Sequence, residues 1–210
     1  MPTSTGGFVA LLFTDLVGST ALLDRLGDDA AEELRQVHFT LLRQAVDEAG
    51  GEEVKNLGDG LMVAFPSALA ALHCAVRMQE VLAERRRPAT EDSTTLAVRI
   101  GIHAGEPFHE GDDFFGTAVV VAKRLCDRAA GGQILTTELV TALVGSRGSF
   151  RFRPVGPLDL KGLAQPVPAV ALDWQRAGAV EERQAAEPVE SARAPTAPRG
   201  PRLVGRDREV

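Results

Sequence analysis

Phe13-Thr14-Asp15-Leu16-Val17-Gly18-Ser19-Thr20 is the stretch from which the rest of the chain is read. It closes an apolar run over residues 8–13, so a strand delivers the Asp15 carboxylate at its own end. Gly18 allows a tight turn, Ser19 and Thr20 supply hydroxyls, and a helix is predicted from about Ala21. A carboxylate is a hard oxygen ligand suited to Mg2+. A loop that opens onto a helix offers backbone N–H groups to phosphate oxygens. This equipment suits a metal-bound polyphosphate. The same residues would also serve as a plain strand end followed by an ordinary helix cap, and the stretch alone leaves both readings open.

Lys55-Asn56-Leu57-Gly58-Asp59-Gly60 is the second decisive stretch. Gly-Asp-Gly falls between two apolar runs, 54–57 and 61–65, and reads as a hairpin tip. Asp-Gly is common hairpin chemistry, so the tip needs no functional role. A hairpin tip can nevertheless lie beside the end of a neighbouring strand, which would set Asp59 near Asp15. Two adjacent carboxylates are costly unless a cation lies between them. Lys55 places a charge in an otherwise apolar strand, where an unpaired cation is expensive.

The remaining pattern alternates helices and strands. Residues 30–49 carry a helical stripe of Leu34, Val37, Leu41, Leu42, Ala45 and Val46, stopped by Gly50-Gly51. Pro66-Ser67 opens a second helix striped by Leu69, Leu72, Val76 and Leu82, with Arg85-Arg86-Arg87 in its last turn. A polar loop over 88–95 leads to a strand over 96–102, with Gly101 and Gly105 allowing a bend. Residues 106–112 read as a hairpin connection, 116–130 as a helix, 134–135 as a short strand, and Thr136-Thr137 as the start of another helix. Residues 150–152, 158–160 and 167–174 read as closing strands. This order predicts an α+β fold with helices against an antiparallel sheet. Residues 1–6 are read as disordered, and residues 175–201, rich in Ala, Arg, Glu and Pro, as a disordered linker.

Composition bounds the function. The 210 residues allow one good-sized core, or a domain with a tail. Hydrophobic residues make up 44% and charged residues 25%, which is ordinary for a globular chain. A net charge of −6 with no dominant basic face argues against a nucleic-acid partner. Cys74 and Cys126 sit in helical apolar patterns and read as buried thiols, giving neither a disulfide framework nor zinc spacing. With no signal-peptide pattern and no apolar run near the ~20 residues of a membrane span, the expectation is a cytoplasmic protein without membrane contact.

Together with Asp113-Phe114-Phe115-Gly116 and Arg124, the two stretches resemble the class III nucleotidyl cyclases in order and separation, over roughly residues 7–173. The resemblance implies a ferredoxin-like antiparallel sheet flanked by helices, forming a catalytic domain over residues 1–174. It also implies an adenylyl cyclase that converts ATP to 3′,5′-cyclic AMP and pyrophosphate at a homodimer interface. Asp15, Asp59 and the Leu16 carbonyl would hold two Mg2+ or Mn2+ ions. Val17, Gly18, Ser19 and Thr20 would cradle the β- and γ-phosphates, with Lys161 a further triphosphate contact. Lys55 and Asp113 would read adenine, and Arg124 would stabilise the transition state. Each site would take its metals from one chain and its base-reading residues from the other.

This chain departs from the resemblance at Val120, where the family pattern has an asparagine that orients the ribose. That departure keeps a second expectation in view: a degenerate domain that binds ATP, or only dimerises, to regulate an attached module. Residues 202–210 resemble the opening of the ATPase module of large bacterial signalling regulators, which implies such a C-terminal partner beyond this chain. The phosphate-loop motif of that module, Gly-x-x-x-x-Gly-Lys-[Ser/Thr], does not occur in the 210 residues.

Overall fold

The structure, a computed structural model, describes residues 4–5, 7–85 and 97–176. The polar loop expected over 88–95 and the ATPase-like residues 202–210 lie outside the described residues. So does the linker expected over 175–201, apart from Gln175 and Arg176, which complete a 3-10 turn with Trp174 instead of opening a disordered segment. In chain order the elements are β1 (Ser4–Thr5), β2 (Val9–Leu16), α1 (Ser19–Leu26), α2 (Asp28–Glu48), β3 (Glu52–Asn56), β4 (Leu61–Phe65) and α3 (Ala68–Glu84). They continue as β5 (Val98–Gly105), β6 (Phe108–Glu110), β7 (Asp113–Phe115), α4 (Thr117–Arg128), β8 (Ile134–Thr137), α5 (Glu138–Val144), β9 (Phe152–Leu158) and β10 (Val167–Leu172). Single 3-10 turns follow α5 at Arg147–Ser149 and end the described chain at Trp174–Arg176.

Seven strands form the main sheet in the order β3-β4-β2-β5-β8-β10-β9. The first four, joined by α1–α2 and by α3, make the ferredoxin-like unit, antiparallel throughout. The β5–β8 pair is parallel, so the sheet is mixed rather than wholly antiparallel. Parallel neighbours need a crossover, and here α4 supplies it. A separate small sheet, β1-β6-β7, includes Ser4 and Thr5, two of the residues expected to be disordered. Backbone pairing with His109 and Phe108 ties them down, a partnership their small polar side chains do not announce.

The two faces of the sheet are covered unequally. Even-numbered residues of β2, Ala10 and Leu12, join Phe39, Leu42, Leu72, Val140 and Val144 in a core beneath α2, α3 and α5. Odd-numbered Leu11 and Phe13 join Ala118, Ala122 and Cys126 beneath α4. Strand alternation therefore sends Asp15 to the α4 face as well. Ser67 caps α3, its Oγ accepting the Ala70 N–H at 3.2 Å.

Three local expectations change. Gly101 makes no bend: a Cβ there would run into the Cys126 amide and the Ala122 carbonyl, so glycine lets α4 lie directly on β5. The runs 150–152 and 158–160 are not separate strands but flank one strand, β9, which contains Pro154 and Pro157. Proline is tolerated there because β9 is an edge strand. Arg85 is the C-cap of α3, and Arg86 and Arg87 lie outside the described residues.

Candidate active site

Asp15 sits one residue before the end of β2, and the β3–β4 tip lies against it. The Leu16 N–H donates to the Asp59 carbonyl at 3.0 Å, the Leu61 N–H donates to Thr14 Oγ1 at 2.9 Å, and Ser19 Oγ donates to Asp59 Oδ2 at 3.4 Å. A Cβ at Gly60 would strike the Thr14 carbonyl oxygen, so this close approach requires glycine. The structure thus brings Asp15, Leu16, Ser19 and Asp59 together. Val17 and Gly18 form the turn, Gly18 at φ +75°, and α1 begins at Ser19, two residues earlier than expected. The backbone of Thr20 lies in the first turn of α1, which contains no acidic residue.

The pocket chemistry fits a hard divalent cation. Two carboxylates and a backbone carbonyl are all oxygen donors, and the tip is pinned to the strand end by the Leu16–Asp59 backbone hydrogen bond and by the buried Thr14 hydroxyl. Asp15 is already engaged, however. Arg99 stands directly opposite it in the β2–β5 register, donating Nε to Asp15 Oδ2 at 2.6 Å and placing Nη2 2.5 Å from the same oxygen. Nη1 of the same guanidinium donates to the Asp127 carbonyl at 2.9 Å, near the end of α4. Burial opposes the Arg99 charge, but Asp15, aided by Cys126 and Asp127, more than offsets it and the guanidinium pKa is raised.

Lys55 and Asp113 also meet, with Nζ 2.5 Å from Oδ2. A β-bulge achieves this. Glu53 pairs with Val63 and its carboxylate reaches Arg43 on α2, so strict alternation would turn Lys55 to that same helical face. The register slips at Val54, Lys55 pairs with Met62, and the lysine emerges on the α4 face. Burial works to raise the Asp113 pKa, but Lys55 and the Phe114 N–H, which donates to Oδ1 at 2.8 Å, hold it below the usual carboxylate range. The Lys55 ammonium also lies 5.9 Å from the centre of the Phe115 ring.

Arg124 and Val120 lie on α4, Val120 36% exposed. Asp127 accepts from both Lys123 Nζ at 2.5 Å and Arg124 Nη1 at 3.0 Å, a clamp visible in the i+4 and i+3 spacings but missed in the sequence. Arg99 was missed too, although it is a lone charge between Val98 and Ile100, the same signal that marks Lys55. Lys161 stands apart, in the exposed turn between β9 and β10 at the opposite edge of the sheet from β3.

Comparison with known proteins gives a consistent picture. Residues 1–172 match the family described as adenylate and guanylate cyclase catalytic domain. The chain is 36% identical over 167 residues to an adenylate cyclase of Mycosarcoma maydis, covering 69% of this chain and 7% of that protein. It is 30% identical over 158 residues to putative adenylate cyclase 3 of Rhizobium meliloti, covering 75% of this chain and 27% of that one. The chain therefore spans only a small part of these relatives. Among solved structures, an adenylate/guanylate cyclase/hydrolase from Silicibacter pomeroyi superposes with a TM-score of 0.71 at 30% identity, covering 78% of this chain and 95% of that one. The adenylyl cyclase CyaB from P. aeruginosa gives 0.72 at 25% identity, covering 82% and 96%.

Proposed function

The chain belongs to the adenylate and guanylate cyclase catalytic domain family, and from that premise we propose that it converts ATP to 3′,5′-cyclic AMP and pyrophosphate at a site shared by two copies. The observation that carries the choice of base is the Lys55–Asp113 pair. Adenine presents an acceptor at N1 and a donor at N6. An ammonium and a carboxylate side by side on one face supply the matching donor and acceptor. Guanine presents the reverse at N1 and O6, and a buried mismatch of that kind is rejected strongly. The pair is 40% and 30% exposed, so it is worth no more than about 1 kcal/mol and opens readily to a base.

In the reaction the ribose 3′-oxygen attacks the α-phosphorus, the bond to the β-phosphate oxygen breaks, and pyrophosphate leaves. The 3′-hydroxyl proton passes to solvent. Asp15, Asp59 and the Leu16 carbonyl would hold the divalent ions, two Mg2+ or Mn2+ per site. When bound, such ions lower the pKa of the attacking hydroxyl and offset charge on the leaving phosphates. Of the four residues expected to cradle the phosphates, Val17 is already engaged, its N–H donating to the Ala97 carbonyl at 2.8 Å. The backbone N–H groups of Gly18, Ser19 and Thr20 would face the phosphates, and Lys161 would add a cation at the triphosphate. Arg124 releases Asp127 and meets the charge that develops on the α-phosphate.

Two observations support a site shared between copies. Lys161 lies at the far edge of its own sheet, so a partner is needed to bring that cation to the phosphates. Phe108, Phe115 and Val120 are exposed on the β6–β7 hairpin and α4, an apolar surface that a second copy would cover. Val120 itself favours a second reading, a domain that binds ATP and regulates an attached ATPase module without turnover, since valine offers the ribose no hydrogen bond.

Incubating the purified chain with Mn2+ and ATP, with GTP in parallel, separates the readings. Cyclic AMP formation, at least about ten-fold faster than cyclic GMP and lost in Asp15→Ala and Asp59→Ala, supports the cyclase. Preference for GTP overturns the base assignment, and nucleotide binding without either product favours the regulatory domain.

A further inference from the structure

The two carboxylates of the metal pocket are not equivalent. Among the described residues, Asp59 receives the Ser19 hydroxyl at 3.4 Å. Asp15, 13% exposed, has both Nε and Nη2 of Arg99 within 2.6 Å of a single oxygen, Oδ2. The third arm of that guanidinium is moored to the Asp127 carbonyl. Arg99 is thus held from two sides, by β2 and by α4, and its charge sits where a cation ligated by Asp15 would sit. We propose that Arg99 is a positioning residue that gates cation entry. A divalent ion that takes Asp15 Oδ2 must displace the guanidinium, which swings away on its mooring at Asp127 rather than leaving the site.

The consequence is specific in sign. An arginine that merely supported the fold would, when replaced, loosen the pocket and weaken cation binding. A gate, when replaced, strengthens it, because the ion no longer competes with a resident charge. The inference rests on reading Asp15 as a metal ligand, and the test separates the two.

Mn2+ binding to the nucleotide-free protein can be followed by electron paramagnetic resonance for wild type, Arg99→Gln, Arg99→Lys and Asp15→Asn. The gate predicts that Arg99→Gln tightens Mn2+ binding by about ten-fold, a partly buried charge pair lying between the exposed and buried limits. Arg99→Lys, which keeps the charge but cannot reach Asp15 and Asp127 together, should tighten it by about three-fold. Should Arg99→Gln not fold, the lysine variant carries the test alone, and unchanged or weaker binding there overturns the gate. Folded Arg99→Gln that binds Mn2+ no more tightly than wild type, with binding lost in Asp15→Asn, overturns the gate and leaves the metal ligand standing. Wild-type affinity in Asp15→Asn overturns both.

Discussion

Under the proposed cyclase reading, Val120 is the side chain whose replacement would bear most on rate. It lies on α4, one turn before Arg124, and is 36% exposed. Asparagine there would meet water or ribose rather than a dry core, and Val and Asn have similar helix propensities. Val120→Asn should therefore leave the melting temperature unchanged. Held in line by the new amide, the 3′-hydroxyl should react faster, with kcat rising about ten- to a hundred-fold and KM for ATP little changed. A stable variant with no gain in rate would favour the regulatory reading. At this scale the sequence was informative wherever a charge interrupted an apolar run. Lys55 was found that way. Arg99 carried the same mark, but its meaning depends on standing opposite Asp15, and register between strands 84 residues apart cannot be read from either strand alone.

At the scale of elements, glycine decides how closely helix, hairpin and strand approach. At Gly101 a methyl group would press on backbone atoms of α4, which cannot rotate aside. Gly101→Ala should lower unfolding free energy by about 3 kcal/mol in urea titration and reduce activity by displacing Arg124. Gly105→Ala, whose nearest neighbour would be the Ala118 methyl at 3.1 Å, should cost less. Equal losses would contradict the close-approach account. Most elements were legible because their periods and caps were: the apolar run into Asp15, the Gly-Asp-Gly tip, the Ser67 cap and the stripes of α2 and α3. The bulge at Val54 was not, because nothing in Glu-Val-Lys-Asn marks an extra residue until its partner strand is known. β9 was obscured by its prolines, whose tolerance follows from an edge position that only the sheet order reveals.

Two histidines shielded from solvent, His38 buried and His103 half-buried, shape the stability of the whole molecule. His38 is fully buried on α2, neither ring nitrogen having a hydrogen-bond partner among the described residues, and burial lowers its pKa to about 4. Burial also lowers the pKa of His103 to about 4; its Nδ1 lies 2.9 Å from Thr137 Oγ1. An unfolded histidine titrates near 6.5, so between about pH 6.5 and 4 the unfolded chain binds more protons and stability falls as pH falls. Each histidine can contribute up to roughly 3 kcal/mol to that loss. His38→Leu should about halve the acid-side drop in melting temperature and raise stability at pH 7, where an unpartnered buried imidazole costs about 1–3 kcal/mol. An unchanged slope would show that His38 is not responsible. Cys74 and Cys126 are buried and free as expected, their thiols pushed up to about 12 by burial, which leaves them unreactive. Among the described residues no helix is long and apolar enough to cross a membrane.

The central claim is that catalysis takes its metal carboxylates from one copy and its base-reading and transition-state residues from another. Mixing Asp15→Ala with Arg124→Ala protein tests it directly, since each variant alone would be inactive. In a randomly paired 1:1 mixture half the dimers are mixed, and each of those carries one intact site of two. The account predicts recovery of about a quarter of wild-type cyclic AMP formation. No recovery, with mixed dimers shown to form, would contradict it.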